Sequence, residues 1–525
     1  MDKKTNVLLI LNGYGIFTGK TSADRVYDSY LKKLQSEYPS SKCLASGMAV
    51  GLPNGQMGDS FVGHVNIGAG RIVYQDLSRI TKEIQDGTFY SNSNLLETVK
   101  YCKKMDSSLH LCGLISDGGT HSHVSHLYAL LEFAKKQRIR NVFVHCFMDG
   151  VDSTPGKGLF YIERLQAKMR EIGVGEIATV SGRYYAMDKG KNYDRLKLAY
   201  LAMTAGEGVK AANPEEALSQ SYEAGESDEF VKPTVIVNGG VPVGIVNDGD
   251  TVIFFNFRPD CSRELLHVFC DEEFRSFKRE KKLEIMVACF TEYDISVENK
   301  KVIFDHPQIN MTFSHWLESN DLTQLKICEE NNLLYLNYAF NGYSNDPFEG
   351  EEYDIMHPPK IARDVYKLEN TTAELTERTC KAISSGNYDF ILCDIDTLDA
   401  AGHNFNRDNC KKAIDVVGSA VKKICEAVKE NDAVLFICST HGNVEKIESA
   451  DLSKENINSN TTNPVPFILY NFDKRYCLRN GGCLGDIVPT IIDVMGYEKP
   501  KEMTGKSLLV ESIPDEDTVI VNIPG

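Results

Sequence analysis

Residues 388–394 read YDFILCD and residues 433–439 read AVLFICS, two short apolar runs that each end on polar residues. Runs of this length, rich in branched and aromatic side chains, suit strands buried on both faces. Between them Cys410, Ala413, Ile414, Val417, Val421, Ile424 and Val428 recur at helical spacing. A helix joining two such strands implies a parallel pair with a right-handed crossover, the repeating unit of an α/β sheet. Upstream, Thr371 followed by Glu374 reads as a capping box opening another helix, with Gly386 as its terminator.

The same grammar recurs elsewhere. LHLCGLIS (109–116) reads as a strand, HLYALLEFAKKQ (126–137) as an amphipathic helix and NVFVHCF (141–147) as the next strand. At the front of the chain VLLILNGYG (7–15) is an apolar run that stops at Asn12, with glycines placed for a sharp exit. In open α/β sheets such exits are where chemistry collects. The first strand thus delivers a neutral amide to a position where a carboxylate would be more useful.

With 525 residues the chain is too long for a single core, so two or three domains are expected. A hydrophobic content of 42% and a charged content of 25% fit an ordinary globular protein. The formal charge of -17 argues against general nucleic-acid or anionic-membrane binding, while leaving room for a local basic pocket. No run is long enough to span a membrane, and the apolar start is too short for a signal peptide, so a cytoplasmic protein is expected. The fifteen cysteines contain no Cys-x-x-Cys pair and read as reduced core thiols. Boundaries are expected near Tyr74 and residue 310.

Polar residues gather just after the strands: Asn12, then Asp399 and His403, then Thr440 and His441, and in the middle section His121 and Asp152. Five loaded strand ends suggest two sites. Asp399 and His403 stand at i, i+4, which brings both to one side of a helical segment.

Several motifs then identify a resemblance. GLPNGQMGDSFVGHVNIGAGRIVYQDLSRI (51–80), SDGGTHSHVSHLYAL (116–130), SGRYYAMDKGKNYDR (181–195), FNFRPD (255–260), TTNPVPFILY (461–470) and PKEMTGKSL (500–508) resemble, in order, the cofactor-independent phosphoglycerate mutases of the alkaline phosphatase superfamily. The resemblance implies a two-domain α/β architecture: an alkaline-phosphatase-like doubly wound sheet domain from residues 1–74 and 311–512, an inserted α/β transferase domain at 75–310, and a tail at 513–525. It also implies interconversion of 3-phosphoglycerate and 2-phosphoglycerate in glycolysis through a phosphoserine, with two divalent ions, usually manganese, to activate the serine and neutralise the phosphoryl group. Carried over by motif, Ser60 is the nucleophile and Ser60, Asp399, His403 and His441 are retained metal ligands. His121, Asp152, Arg183, Lys189 and Arg258 match substrate-binding positions.

Other positions depart from the pattern. Three family metal ligands are replaced, by Asn12, Thr440 and Asn460, leaving Asp399 as the sole matched carboxylate facing a potential +4 of metal charge. Hard divalent ions bind largely through anionic oxygen, so manganese binding is expected to be weak, partial or absent. Two substrate arginines are Val151 and Cys261, a third is Lys189, which keeps charge without bidentate geometry, and the family lysine before the segment near Asp346 has no evident counterpart. Arg263 lies two residues from Cys261, an offset that points it elsewhere. Beside the nucleophile stand Asp59 and Phe61. Asp59, Asp394 and Asp396 are acids that match no ligand position and read as solvated strand-end residues, with rebuilding of a metal site as the alternative.

Three readings follow: a catalytically degenerate mutase homologue acting as an interaction or scaffold protein, an active mutase with an altered or single-metal centre, and a non-catalytic binder of a phosphorylated acid. The expected associations are weak phosphoglycerate binding and an unidentified protein partner, with no nucleic acid and no membrane, for a monomeric chain. The tail contains TVIVNI (518–523), a strand-like run suited to covering a sheet edge.

Overall fold

A computed structural model describes residues 4–18, 29–279, 282–305, 308–344, 346–357, 368–403, 406–449 and 459–512. The tail run at 518–523 lies outside the described residues. The chain divides into two compact units, residues 1–75 with 308–525, and residues 76–307.

In the first unit eight strands are ordered Glu351–Met356, Gln324–Glu329, Phe390–Ile395, Asn6–Leu11, Val434–Cys438, Val465–Tyr470, Ser40–Leu44 and Gly482–Cys483. The first five are mutually parallel. Asn6–Leu11 lies between the two strands joined by the helical crossover and is parallel to both. All six of its residues are buried. Val7, Leu9 and Leu11 enter one core layer, while Leu8 and Ile10 enter the other. The period-two pleat therefore explains why this strand is apolar at every position from Val7 to Leu11: both faces are covered.

The crossover helix is Arg407–Glu430, capped by Asn406, whose side chain accepts from the Asp408 and Asn409 amides. Its predicted stripe, from Cys410 to Val428, is buried against the sheet. The helix before it corrects one expectation. It runs Leu368–Ser385, so Thr371 is an interior residue rather than an N-cap. Thr376 and Thr379 donate to the carbonyls of Thr372 and Leu375, so these hydroxyls are satisfied inside the helix. Gly386 follows the last turn with φ +63, as expected of a terminator.

The second unit holds a sheet in the order Lys301–Val302, Met286–Cys289, Thr251–Phe254, Leu109–Leu114, Val142–Met148, Glu176–Gly182, Thr234–Asn238 and Val209–Ala211, with Val241–Pro242 added on Thr234–Asn238. The first six are parallel. The helix Val124–Lys136 follows the strand Leu109–Leu114 as predicted. All fifteen cysteines are free thiols, most of them in the cores. Among the described residues no helix is long and apolar enough to cross a membrane.

Candidate functional site

Each unit gathers polar side chains at the carboxyl ends of its central parallel strands. In the first unit the gathering starts at Gly13, which takes φ +78 as the chain leaves the strand. A Cβ there would lie 2.7 Å from the Asp399 Cα, so both conformation and contact require glycine. The turn leaves Asn12 fully buried. Its Nδ2 donates to Asp394 Oδ1 at 2.8 Å, and its Oδ1 accepts from the Thr440 hydroxyl at 2.6 Å. Two of the replaced ligand positions are thus bonded to each other.

Asp394 is fully engaged. Its other oxygen accepts from Asn332 Nδ2 at 2.8 Å, and His64 Nε2 lies 3.3 Å from Oδ1. This carboxylate is therefore buried and committed to neutral donors, not the solvated strand-end acid expected from the sequence. Asp59 is committed as well, as the N-cap of the helix Ser60–Ala69, where it accepts from the Val62 amide at 2.8 Å. Burial, with the charges of Asp394, Asp399 and Glu329, holds the Asp396 carboxyl well above the usual range.

Asp399 and His403 lie on the helix Thr397–His403, with His403 Nε2 3.3 Å from Asp399 Oδ2. Asp399 Oδ1 faces His441 Nε2 at 2.8 Å and accepts from Asn443 Nδ2 at 2.6 Å. Burial pushes the Asp399 carboxyl up, but the His441 and Asn443 hydrogen bonds and the nearby His441 and His403 rings outweigh it, leaving it below the ordinary value. His441 Nδ1 lies 2.9 Å from the Thr440 hydroxyl, whose proton goes to Asn12. Both nitrogens of this ring thus face polar partners, Nε2 on Asp399 and Nδ1 on the Thr440 hydroxyl. Asn460 donates to the Gly58 carbonyl at 2.9 Å and accepts from Asn443. Lys446, buried, places Nζ 2.5 Å from Asn443 Oδ1 and 2.8 Å from the Ser459 carbonyl.

This donor set does not fit a pair of divalent cations. Among the positions the resemblance implies as ligands, Asp399 is the one carboxylate, and the neutral side chains of Asn12, Thr440 and Asn460 are hydrogen-bonded to neighbours. The sequence reading missed Asn332, Asn443 and Lys446. For the last two the signal lay in THGNVEK (440–446), where the residues after the histidine were left unread.

In the second unit His121 follows the strand Leu109–Leu114, Asp149 and Asp152 follow Val142–Met148, Arg183 follows Glu176–Gly182, and Arg258, Asp260 and Cys261 follow Thr251–Phe254. Arg183 Nη1 is held by Asp149 Oδ1 at 2.7 Å and by Asp152 Oδ2 at 3.0 Å. Asp149, which sequence reasoning also missed, accepts in addition from Ser116 Oγ and the amides of Val151 and Asp152. Burial raises the His121 pKa cost of carrying charge and, with Arg183 and Arg258 nearby, holds the imidazole below its ordinary value. Arg258 Nε is 3.1 Å from Asp260 Oδ1 and half exposed. Arg263 instead donates from Nε to the Tyr293 carbonyl, so it does not stand in for Cys261. Val151 is 58% exposed.

Asp149 yields a pH prediction. Burial raises its carboxyl, but Ser116, the two amides and Arg183 together bring it below the ordinary range. A depressed folded value means that the unfolded chain binds the proton first on acidification. The contribution is therefore present above the unfolded value and lost as pH falls through the folded one. Asp149→Asn should cost about 2 kcal/mol at pH 7, the scale of a lost charge-assisted bond, and progressively less below about pH 4. Urea unfolding across pH measures this, and a pH-independent difference would refute it.

Comparison with known proteins agrees with this layout. A family profile described as "BPG-independent PGAM N-terminus (iPGM_N)" matches residues 80–295. The chain is 46% identical over 515 residues to the 2,3-bisphosphoglycerate-independent phosphoglycerate mutase of Lachnoclostridium phytofermentans, covering 97% of this chain and all of that protein. It is 44% identical over 514 residues to the protein of the same name from Acetivibrio thermocellus, with the same coverage. The solved structure of Leishmania mexicana phosphoglycerate mutase at low cobalt concentration has the same fold, with a TM-score of 0.58 at 24% identity over 98% of both chains. The two-domain α/β architecture and the full-length identity together place this chain in the family of 2,3-bisphosphoglycerate-independent phosphoglycerate mutases.

Proposed function

We propose that this chain is a mutase homologue that does not isomerise phosphoglycerate and acts by binding, as an interaction or scaffold component. On this reading residues 1–74 with 311–512 keep Ser60 and the ligand positions Asp399, His403 and His441 without the manganese pair, and residues 75–310 keep a reduced substrate grip in His121, Asp152, Arg183, Lys189 and Arg258. The observation that carries it is the Asn12–Thr440 hydrogen bond, with the Asn12 amide on Asp394. A serine hydroxyl is a weak nucleophile, and without an ion or a base to take its proton Ser60 has little reactivity toward a phosphate ester.

A second reading, non-catalytic capture of a phosphorylated acid, is favoured by Arg183, whose guanidinium is oriented by two carboxylates. The two are compatible, since binding requires no turnover.

The test is an enolase-coupled assay of 3-phosphoglycerate with added manganese, run beside element analysis of the dialysed protein. The expected result is less than one equivalent of manganese and no detectable turnover. Two equivalents with a rate on the order of 10 per second, typical of enzymes, would refute the proposal and establish the altered-centre alternative.

A further inference from the structure

The arginine lost at position 261 left more than a gap in the substrate grip. Cys261 is 6% exposed and His121 is 4% exposed, and the two face each other, with Cys261 Sγ 3.9 Å from His121 Nε2. Asp260 Oδ1 stands 3.6 Å from His121 Nδ1, and Asp152 Oδ2 stands 4.0 Å from Nε2. One ligand atom each from His121, Asp260 and Cys261 can be chosen so that all lie within 4.8 Å of one another. A second, independent observation points the same way. His121 Nδ1 is buried without a hydrogen-bond partner, an unfavourable state for a polar atom.

We propose that His121, Cys261 and Asp260, with Asp152 at the fourth side, form a binding site for a single zinc ion. Four ligands at zinc bond lengths of about 2.0–2.3 Å in a tetrahedron lie about 3.3–3.8 Å apart. Here Asp260 stands 3.6 Å from Nδ1 while Cys261 and Asp152 stand 3.9 Å and 4.0 Å from Nε2, so the imidazole must turn for one nitrogen to meet all three around an ion. One imidazole, one thiolate and carboxylate oxygen is a donor set that suits zinc and is unsuited to magnesium or calcium, which take oxygen alone. As the Zn–S bond forms, the Cys261 thiol proton leaves to solvent. The thiolate and one carboxylate then balance the ion's two charges. Arg183 is faced by Asp149 at 2.7 Å and shares Asp152 with the site, that carboxylate's Oδ2 standing 3.0 Å from the guanidinium. Arg258 competes for Asp260, at 3.1 Å. Nothing in this site depends on the proposed loss of mutase activity, and it lies within the second unit.

The full-length protein, stripped with chelator and desalted, is titrated with cobalt(II) in place of zinc. One equivalent should produce a thiolate-to-cobalt charge-transfer band in the near ultraviolet, and zinc should displace it while magnesium does not. Cys261→Ser should abolish the band, His121→Ala should weaken cobalt binding at least about 100-fold, beyond the 10–100-fold cost of outer-shell changes, and Arg258→Ala should tighten it. No band, or a band that survives Cys261→Ser, would overturn the proposal. Should Cys261→Ser fail to fold, alkylation of the unmodified protein with peptide mapping decides the matter. Zinc should slow modification of Cys261 at least tenfold, and an unchanged rate would overturn the assignment.

Discussion

Asn12→Asp should destabilise the folded protein by about 3 kcal/mol at neutral pH, the scale of an uncompensated buried charge, and adding Asp394→Asn should return most of that loss. The Asn12 amide donates to Asp394 at 2.8 Å inside a wholly buried cluster. A carboxylate in its place sets two anions against each other and removes the donor. Exchanging amide and acid restores one donor and one acceptor across the same gap. A double-mutant cycle in urea should give a coupling of about 2 kcal/mol or more. Additive effects would show that these side chains are not wired together. The same logic governs recovery of metal. Asn12→Asp, Thr440→Asp and Asn460→His together should bind manganese poorly, because Asp394 still opposes the new aspartate. The fourfold variant that includes Asp394→Asn should bind it, with Ser60, Asp399, His403 and His441 supplying the remaining positions. Turnover should stay low while Val151 and Cys261 remain.

Val151→Arg should raise affinity for 3-phosphoglycerate about tenfold or more, the equivalent of one charge-assisted contact of about 1.5–3 kcal/mol. In the unmodified protein binding should be weak, independent of manganese and reduced by salt, because Arg183, Arg258 and Lys189 attract the anion without a full set of guanidinium contacts. Val151 is a favourable place to add one. Its side chain is 58% exposed and leaves room for a longer residue, and its amide already anchors on Asp149. Cys261→Arg should be less tolerated, since Cys261 is buried beside His121. Calorimetry at two ionic strengths measures both statements. Tight, manganese-dependent binding by the unmodified chain would contradict them.

The α/β layout was legible because its strands are buried on both faces. Val7, Leu9 and Leu11 had to meet one layer while Leu8 and Ile10 met the other, which leaves no alternation to confuse with a half-exposed strand. That the helix is already under way upstream of Thr371 was not legible. Thr371 and Glu374 mimic a cap, and only the packing of the threonines inside the helix reveals that they continue it. At the candidate site the strand ends gave Asn12, Asp399, His403 and Thr440 by position. The hydrogen bond between residues 12 and 394 was invisible, because a one-dimensional reading cannot show that two strands distant in sequence lie side by side. Asp149 was hidden for a related reason: its importance lies in orienting Arg183, and nothing in MDGVD (148–152) distinguishes it from a turn residue.

Lys446 gives the first unit a property that sites built around mobile ions lack. Its ammonium is covalently tethered, buried, and bonded to the amide that in turn holds Asp399. Burial lowers its pKa, while Glu445, Cys410 and Asp399 pull it back toward the ordinary lysine value. A cation carried on the chain is present at one copy per site at every concentration, so no mass-action term links folding to the supply of a free ion. Chelators have nothing to withdraw from it and competing metals nothing to displace. The part of this loop cluster's order that rests on Lys446 is thereby independent of the divalent-ion content of its surroundings.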